Sequence, residues 1–285
     1  MKAIAKYKNL DRSFWANIKT ISQEVGYTKR GNKRKGLESK IKIPTITEII
    51  SAYSGLKLSY DHIYSNNSVT ELGSLMIDYF TDRANILNHS VKSNLMTLTE
   101  AKQLFEEIKD SFCPKIPFPL NKQKGEKKAE AYFTCIINML IEKYAQELNF
   151  DYDPRKLTTI TKDLYPLRTL SRRVDGAFPS ILNPIAIWEI KEYYYTTTFG
   201  SRAADGVYET LLDGMELEEL LEHEDIKVQH YLMVDDYNTW WNSGRSYLCR
   251  MIDMLHMGYV DEVLFGKEVY ERLPILVKEW INKLE

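Results

Sequence analysis

Apolar positions recur along the chain with two periods, and the change of period divides it. Between 11 and 25, Phe14, Ile18, Ile21 and Val25 fall at helical spacing, and Gly26 stops the run. A second helix opens at Pro44-Thr45-Ile46-Thr47-Glu48, with Thr45 placed to cap it. Residues 69–90 and 98–112 repeat the amphipathic pattern, and 129–148 is a more apolar helix. The period then shortens to two. Residues 172–178 and 184–195 read as strands, joined by the turn residues Pro179, Ser180, Asn183 and Pro184. After them come a helix at 203–223 with an expected break near Gly214, a core strand at 227–234, and a helix at 246–257. A short strand at 263–265 and a helix at 269–284 close the chain. Strands followed by alternating helix and strand predict an α/β (α+β) fold, a mixed central sheet flanked by helices behind a helical N-terminal region.

The second strand carries charge where a core strand has none. Alternation puts Ile187, Glu189, Lys191 and Tyr193 on one face, and Trp188, Ile190 and Glu192 on the other. The first strand puts Arg173, Asp175 and Ala177 together, and a hairpin brings Asp175 near Glu189. Burying such charges costs several kcal/mol per ion unless they pair or hold a metal. Two carboxylates with open positions suit Mg²⁺, with Mn²⁺ as a substitute; Asp175, Glu189 and Ile190, the residue between Glu189 and Lys191, are the expected metal contacts. Lys191 beside them would orient or deprotonate a water and steady developing charge. That chemistry is hydrolysis of a phosphodiester.

Asp175, followed fourteen residues later by Glu189-Ile190-Lys191, resembles the PD-(D/E)XK nuclease superfamily, to which most type II restriction endonucleases belong. Val174 stands where the family pattern has proline, and the resemblance covers roughly residues 126–265. An acid-x-Lys triplet starts at six places, 38, 100, 107, 126, 189 and 225, but only 189–191 lies mid-strand with an upstream carboxylate partner. The resemblance implies a restriction-endonuclease-like α-β-β-β-α-β core and Mg²⁺-dependent cleavage of double-stranded DNA. It implies catalytic roles for Asp175, Glu189 and Lys191, and for Glu130 near the start of the 129–148 helix. Cutting both strands requires two active sites, so a symmetric homodimer is expected. The alternatives are another nuclease of the same superfamily, serving repair, transposition or phage defence on DNA or RNA, and a sequence-specific DNA-binding protein without catalysis.

Composition adds bounds. With 285 residues and 44% hydrophobic content, the chain is long enough to bury a sizeable core. No apolar run approaches a membrane span, and the N-terminus lacks a signal-peptide pattern, so a cytoplasmic protein is expected. Cys113, Cys135 and Cys249 have no metal or disulfide spacing. Residues 1–125 carry 20 Lys and Arg against 12 Asp and Glu, whereas 126–285 carry 18 against 28. That asymmetry predicts a basic DNA-engaging region, 1–125, ahead of a catalytic domain, 126–285. The expected DNA contacts are Lys29, Arg30, Lys33, Arg34 and Lys35 in a basic loop, and Thr197, Thr198, Ser201 and Arg202 beside the catalytic strand. Trp240 and Arg245, in a later polar loop, complete the set.

Overall fold

The computed structural model describes residues 1–31, 36–123, 126–196 and 200–284, with the backbone alone at 122–123, 126–128 and 202. Helix α1 (Arg12–Val25) buries Phe14, Trp15, Ile18 and Ile21. Gly26 ends it at a φ of 91°, which side-chain-bearing residues avoid. Strands β1 (Thr28–Lys29) and β2 (Lys40–Ile41) pair across the base of the basic loop. Helix α2 (Ile46–Gly55) begins in a capping box between Thr45 and Glu48. Past a small ribbon, β3 (Tyr64–Ser65) and β4 (Ser68–Val69), Thr70 caps α3 (Glu71–Asn85). That helix continues through a π-helical stretch, Ile86–Val91, into the short α4 (Lys92–Asn94). Phe14, Trp15, Ile49, Tyr53, Met76 and Phe80 belong to one apolar cluster in this region.

Helix α5 (Leu98–Phe112) starts in a second capping box, Thr97 with Glu100. The expected boundary loop that follows contains an antiparallel hairpin, β5 (Leu120–Gln123) with β6 (Glu126–Glu130). Glu130 therefore ends a strand, and α6 (Tyr132–Ala145) begins after it, a correction to the expected 129–148 helix. A further hairpin, β7 (Thr159–Lys162) with β8 (Tyr165–Thr169), lies in sequence without a clear period. The remaining elements are β9 (Gly176–Phe178), β10 (Ala186–Glu192), α7 (Ser201–Glu224) and β11 (Gln229–Asp235). Last come α8 (Arg245–His256), β12 (Glu262–Phe265) and α9 (Glu268–Ile281).

The central sheet runs β12-β11-β10-β9, with β9 antiparallel to β10, and β10, β11 and β12 mutually parallel. Such parallel neighbours require crossovers, which α7 and α8 supply. Trp188, Tyr231, Met233 and Leu264 cluster with buried residues of α5, α6 and α9. Leu232, Val234, Val263 and Phe265 turn to a second cluster with α8, and Ile187 to a third with Leu217 and Leu220 of α7. This is a mixed α/β fold with helices on both faces. Helix α7 runs unbroken through Gly214, contrary to the expected break. A Cβ there would lie 2.4 Å from the carbonyl oxygen of Tyr259, so the glycine serves close packing. Among the described residues no helix is long and apolar enough to cross a membrane.

Candidate functional site

Strand β10 is buried through Ala186, Ile187, Trp188 and Glu189, with Lys191 5% exposed. Its neighbour β9 is short because Arg172 to Val174 leave the sheet, where a strand was expected. Gly176 faces Trp188 in the register, and a Cβ there would sit 2.1 Å from the indole. Glycine thus lets the two strands meet, and the meeting sets Asp175 beside Glu189. The Asp175 N–H donates to the Trp188 carbonyl (3.1 Å) and to Glu189 Oε1 (3.3 Å). In return Ile190 N–H donates to Asp175 Oδ2 at 2.7 Å.

Glu189 is fully buried and paired on both oxygens. Lys191 Nζ is 2.7 Å from Oε2, and Arg172 Nη1 is 2.8 Å from Oε1. Helix α7 adds two carboxylates from one face. Asp213 Oδ2 lies 2.6 Å from Arg172 Nη1, and Glu209 Oε2 lies 3.3 Å from Arg172 Nη2 and 3.5 Å from Lys191 Nζ. Gly206, one turn earlier, leaves room for Lys191, since a Cβ there would be 3.0 Å from its Cδ. From the other side, the Trp240 indole N–H reaches the Lys191 carbonyl at 3.3 Å.

Burial, then the charge of Glu189, pushes the Asp175 carboxyl up to about 6. The same two causes push Asp213 to about 7, and its Oδ1 is buried with no hydrogen-bond partner among the described residues. Burial also opposes the charge on Glu189, but Lys191 and Arg172 outweigh it and hold that carboxyl below its ordinary value. Lys191 is held above its ordinary range by Glu189 and Asp175 despite burial, so it stands as an ammonium. The Asp175–Glu189 pair is an uneasy one, which a cation between the two carboxylates would relieve. Among the described residues no group of three His, Cys, Asp or Glu could hold a metal ion, and Glu189 Oε1 is already paired with Arg172.

Asp175 and Ile190 open on a cleft of about 880 Å³, whose walls also carry Arg155, Lys156, Arg172 and Arg173. Residues 96–280, which hold the whole cluster, match the model of a family described as a domain of unknown function, DUF7687. The chain belongs to the DUF7687 family. Residues 1–90 match a second such family, DUF7690. The two meet between 90 and 96, upstream of the expected division after residue 125, and Ala101 and Phe105 of α5 share the DUF7687 core with α6. No curated protein and no solved structure matches the chain.

Within the DUF7687 region the structure joins Asp175, Glu189, Ile190 and Lys191 as the sequence predicts. Glu130 closes β6, directly before the cap of α6. Its carbonyl accepts from Asn121 Nδ2 (3.4 Å), while the acid at the N-terminus of α6 is Glu192, which accepts from the Thr134 N–H and Oγ1 at 3.0 Å each. Trp240 also requires correction, since it is fully buried and cannot stack on a base. Arg245 lies over the Trp241 ring at 5.3 Å, and the pair lines a groove with Lys92, Gly31 and Ser39. Ser201 is exposed at the start of α7, and Lys29 and Arg30 are exposed at the base of the basic loop. Lys33, Arg34, Lys35, Thr197 and Thr198 lie outside the described residues, as does the Arg202 side chain. Arg172, Glu209 and Asp213 are absent from the sequence reading. The signal for the two acids was their four-residue spacing behind Gly206, which gives one helix face small enough to approach a strand.

Proposed function

We propose that this chain is a Mg²⁺-dependent endonuclease that hydrolyses double-stranded DNA, with a core of restriction-endonuclease type. The observation that carries the reading is the meeting of Asp175, Glu189 and Lys191 beside a cleft lined by Arg155, Lys156 and Arg173. A carboxylate pair repels phosphate, so its presence beside a cationic cleft makes chemical sense when a cation stands between them. Asp175 and Glu189 would hold Mg²⁺, or Mn²⁺ in its place, and the bound ion supplies a Lewis acid and a more acidic water. Lys191, kept charged by Glu189, steadies negative charge developing on the phosphate and orients water; it does not serve as a proton acceptor. The cleft cations hold the substrate backbone without reading its sequence. The antiparallel β9–β10 pair followed by helix and parallel strand supports the resemblance drawn from the motif. Cleavage of both strands calls for two copies related by a two-fold axis. Three free cysteines suit the reducing cytoplasm.

One observation favours a second reading. Both Glu189 oxygens already have cationic partners, as in a structural ion network, and such a protein would bind DNA without cutting it. Incubation with plasmid DNA and with RNA, in Mg²⁺, Mn²⁺ or EDTA, separates the readings. Cleavage of the duplex only with a divalent ion is the expected result. Cleavage of RNA alone points to another branch of the superfamily, and a gel shift without cleavage in any metal supports the binding protein.

A further inference from the structure

Arg172 occupies a singular place in the cluster. Its Nη1 stands between Glu189 Oε1 (2.8 Å) and Asp213 Oδ2 (2.6 Å), the spacing of charge-assisted bonds on either side of a cation. Both carboxylates are fully buried, so their charges depend on something positive at that point. Asp213 keeps a second buried oxygen with no hydrogen-bond partner among the described residues, an acceptor whose demand the guanidinium leaves unmet. Four acids, Asp175, Glu189, Glu209 and Asp213, face two cations, Arg172 and Lys191, in this cluster.

Arg172 is also 22% exposed and lines the same cleft as Arg155 and Arg173. A guanidinium fork suits phosphate as well as carboxylate, so the side chain has partners in two directions. We propose that Arg172 grips the substrate phosphate, and that a divalent cation frees it by taking its place against Glu189 and Asp213. This rests on the nuclease reading and adds Asp213 as an ion ligand and Arg172 as a phosphate ligand. Ion and phosphate then favour each other's binding, because each removes the competitor of the other.

The test uses Ca²⁺ as the ion, followed by calorimetry, and a fluorescein-labelled DNA duplex, followed by anisotropy in Ca²⁺ or EDTA. Arg172→Gln is expected to bind Ca²⁺ about tenfold more tightly, and the duplex about tenfold more weakly in Ca²⁺ with no difference in EDTA. Arg172→Lys, which keeps a charge without the fork, falls between. Unchanged affinities, or an equal loss of duplex affinity in both media, overturn the proposal. Should Arg172→Gln fail to fold by circular dichroism, Asp213→Asn carries the test. Loss of an ion ligand then lowers Ca²⁺ affinity by at least about fivefold, and an unchanged affinity is contrary. Glu189→Gln separates this proposal from the reading beneath it. If that variant binds Ca²⁺ as the parent does, the metal site itself is wrong and both fall. If it loses Ca²⁺ while Arg172→Gln matches the parent, only the role of Arg172 falls.

Discussion

Lys191 shows how position decides a role. Its ammonium is clamped between Glu189 and Glu209 in a buried setting, and the carboxylates keep it charged. Lys191→Met should therefore lower plasmid cleavage about 100-fold through lost charge stabilisation. Ca²⁺ affinity measured on the same variant should change little, and a large loss of Ca²⁺ binding would mean that the lysine organises the ion instead. The motif residues were legible because a strand alternates strictly, so Asp175 and Glu189-x-Lys191 needed only a hairpin to meet. Arg172 was not legible, since it lies where the chain leaves the sheet and no period governs its direction. The start of α6 was set too early because the helix pattern runs backwards into polar residues that pair as β6. Trp240 was misjudged since an aromatic in polar sequence looks alike whether it faces solvent or the back of a strand.

Helices α6 and α7 are each fixed by one residue that sequence patterns undervalue. Gly214 resembles a helix breaker, yet only its bare Cα lets α7 close on the Tyr259 backbone. Gly214→Ala should destabilise the protein by about 1–3 kcal/mol despite its better helix propensity, because backbone cannot retreat as a side chain can. A raised melting temperature in that variant would show the contact to be loose. Glu192, on the strand face opposite Glu189, caps α6 through Thr134. Burial, opposed by its bonds to Thr134 and Asn121, pushes its carboxyl up to about 7. The folded state thus holds that proton more tightly than the unfolded chain, so the associated stability is present at low pH and is lost as pH climbs through about 7. Glu192→Gln, neutral at every pH, should flatten the fall of melting temperature between pH 5 and 8, as tracked by circular dichroism at ~0.5-unit steps. An unchanged slope would remove Glu192 as its source. Helices with caps and amphipathic faces were legible from their periods, whereas β5 to β8 were not, since short half-exposed hairpins leave little alternation to detect.

The two family regions join through buried charge as well as apolar contact. Arg83 of α3 donates to both carboxylate oxygens of Asp253 on α8, at 2.8 and 3.0 Å, and Tyr79 donates to the same group. Truncating one partner strands the other, so Arg83→Ala should cost about 3–5 kcal/mol and lower the denaturation midpoint of the whole chain. If urea denaturation then shows two separate transitions, the DUF7690 and DUF7687 regions are independent units and the pair is only a tether. What the whole molecule does turns on whether the Asp175–Glu189–Lys191 cluster of the DUF7687 region is chemical or merely structural. The most direct measurement is the digestion of supercoiled plasmid by the parent, Asp175→Asn and Glu189→Gln, each with Mg²⁺ or EDTA, after circular dichroism has shown all three folded. Cleavage by the parent in Mg²⁺ alone is the expected result, with a loss of at least about 100-fold in both variants. Equal cleavage by parent and variants, or none by the folded parent with any divalent ion, would contradict the nuclease reading.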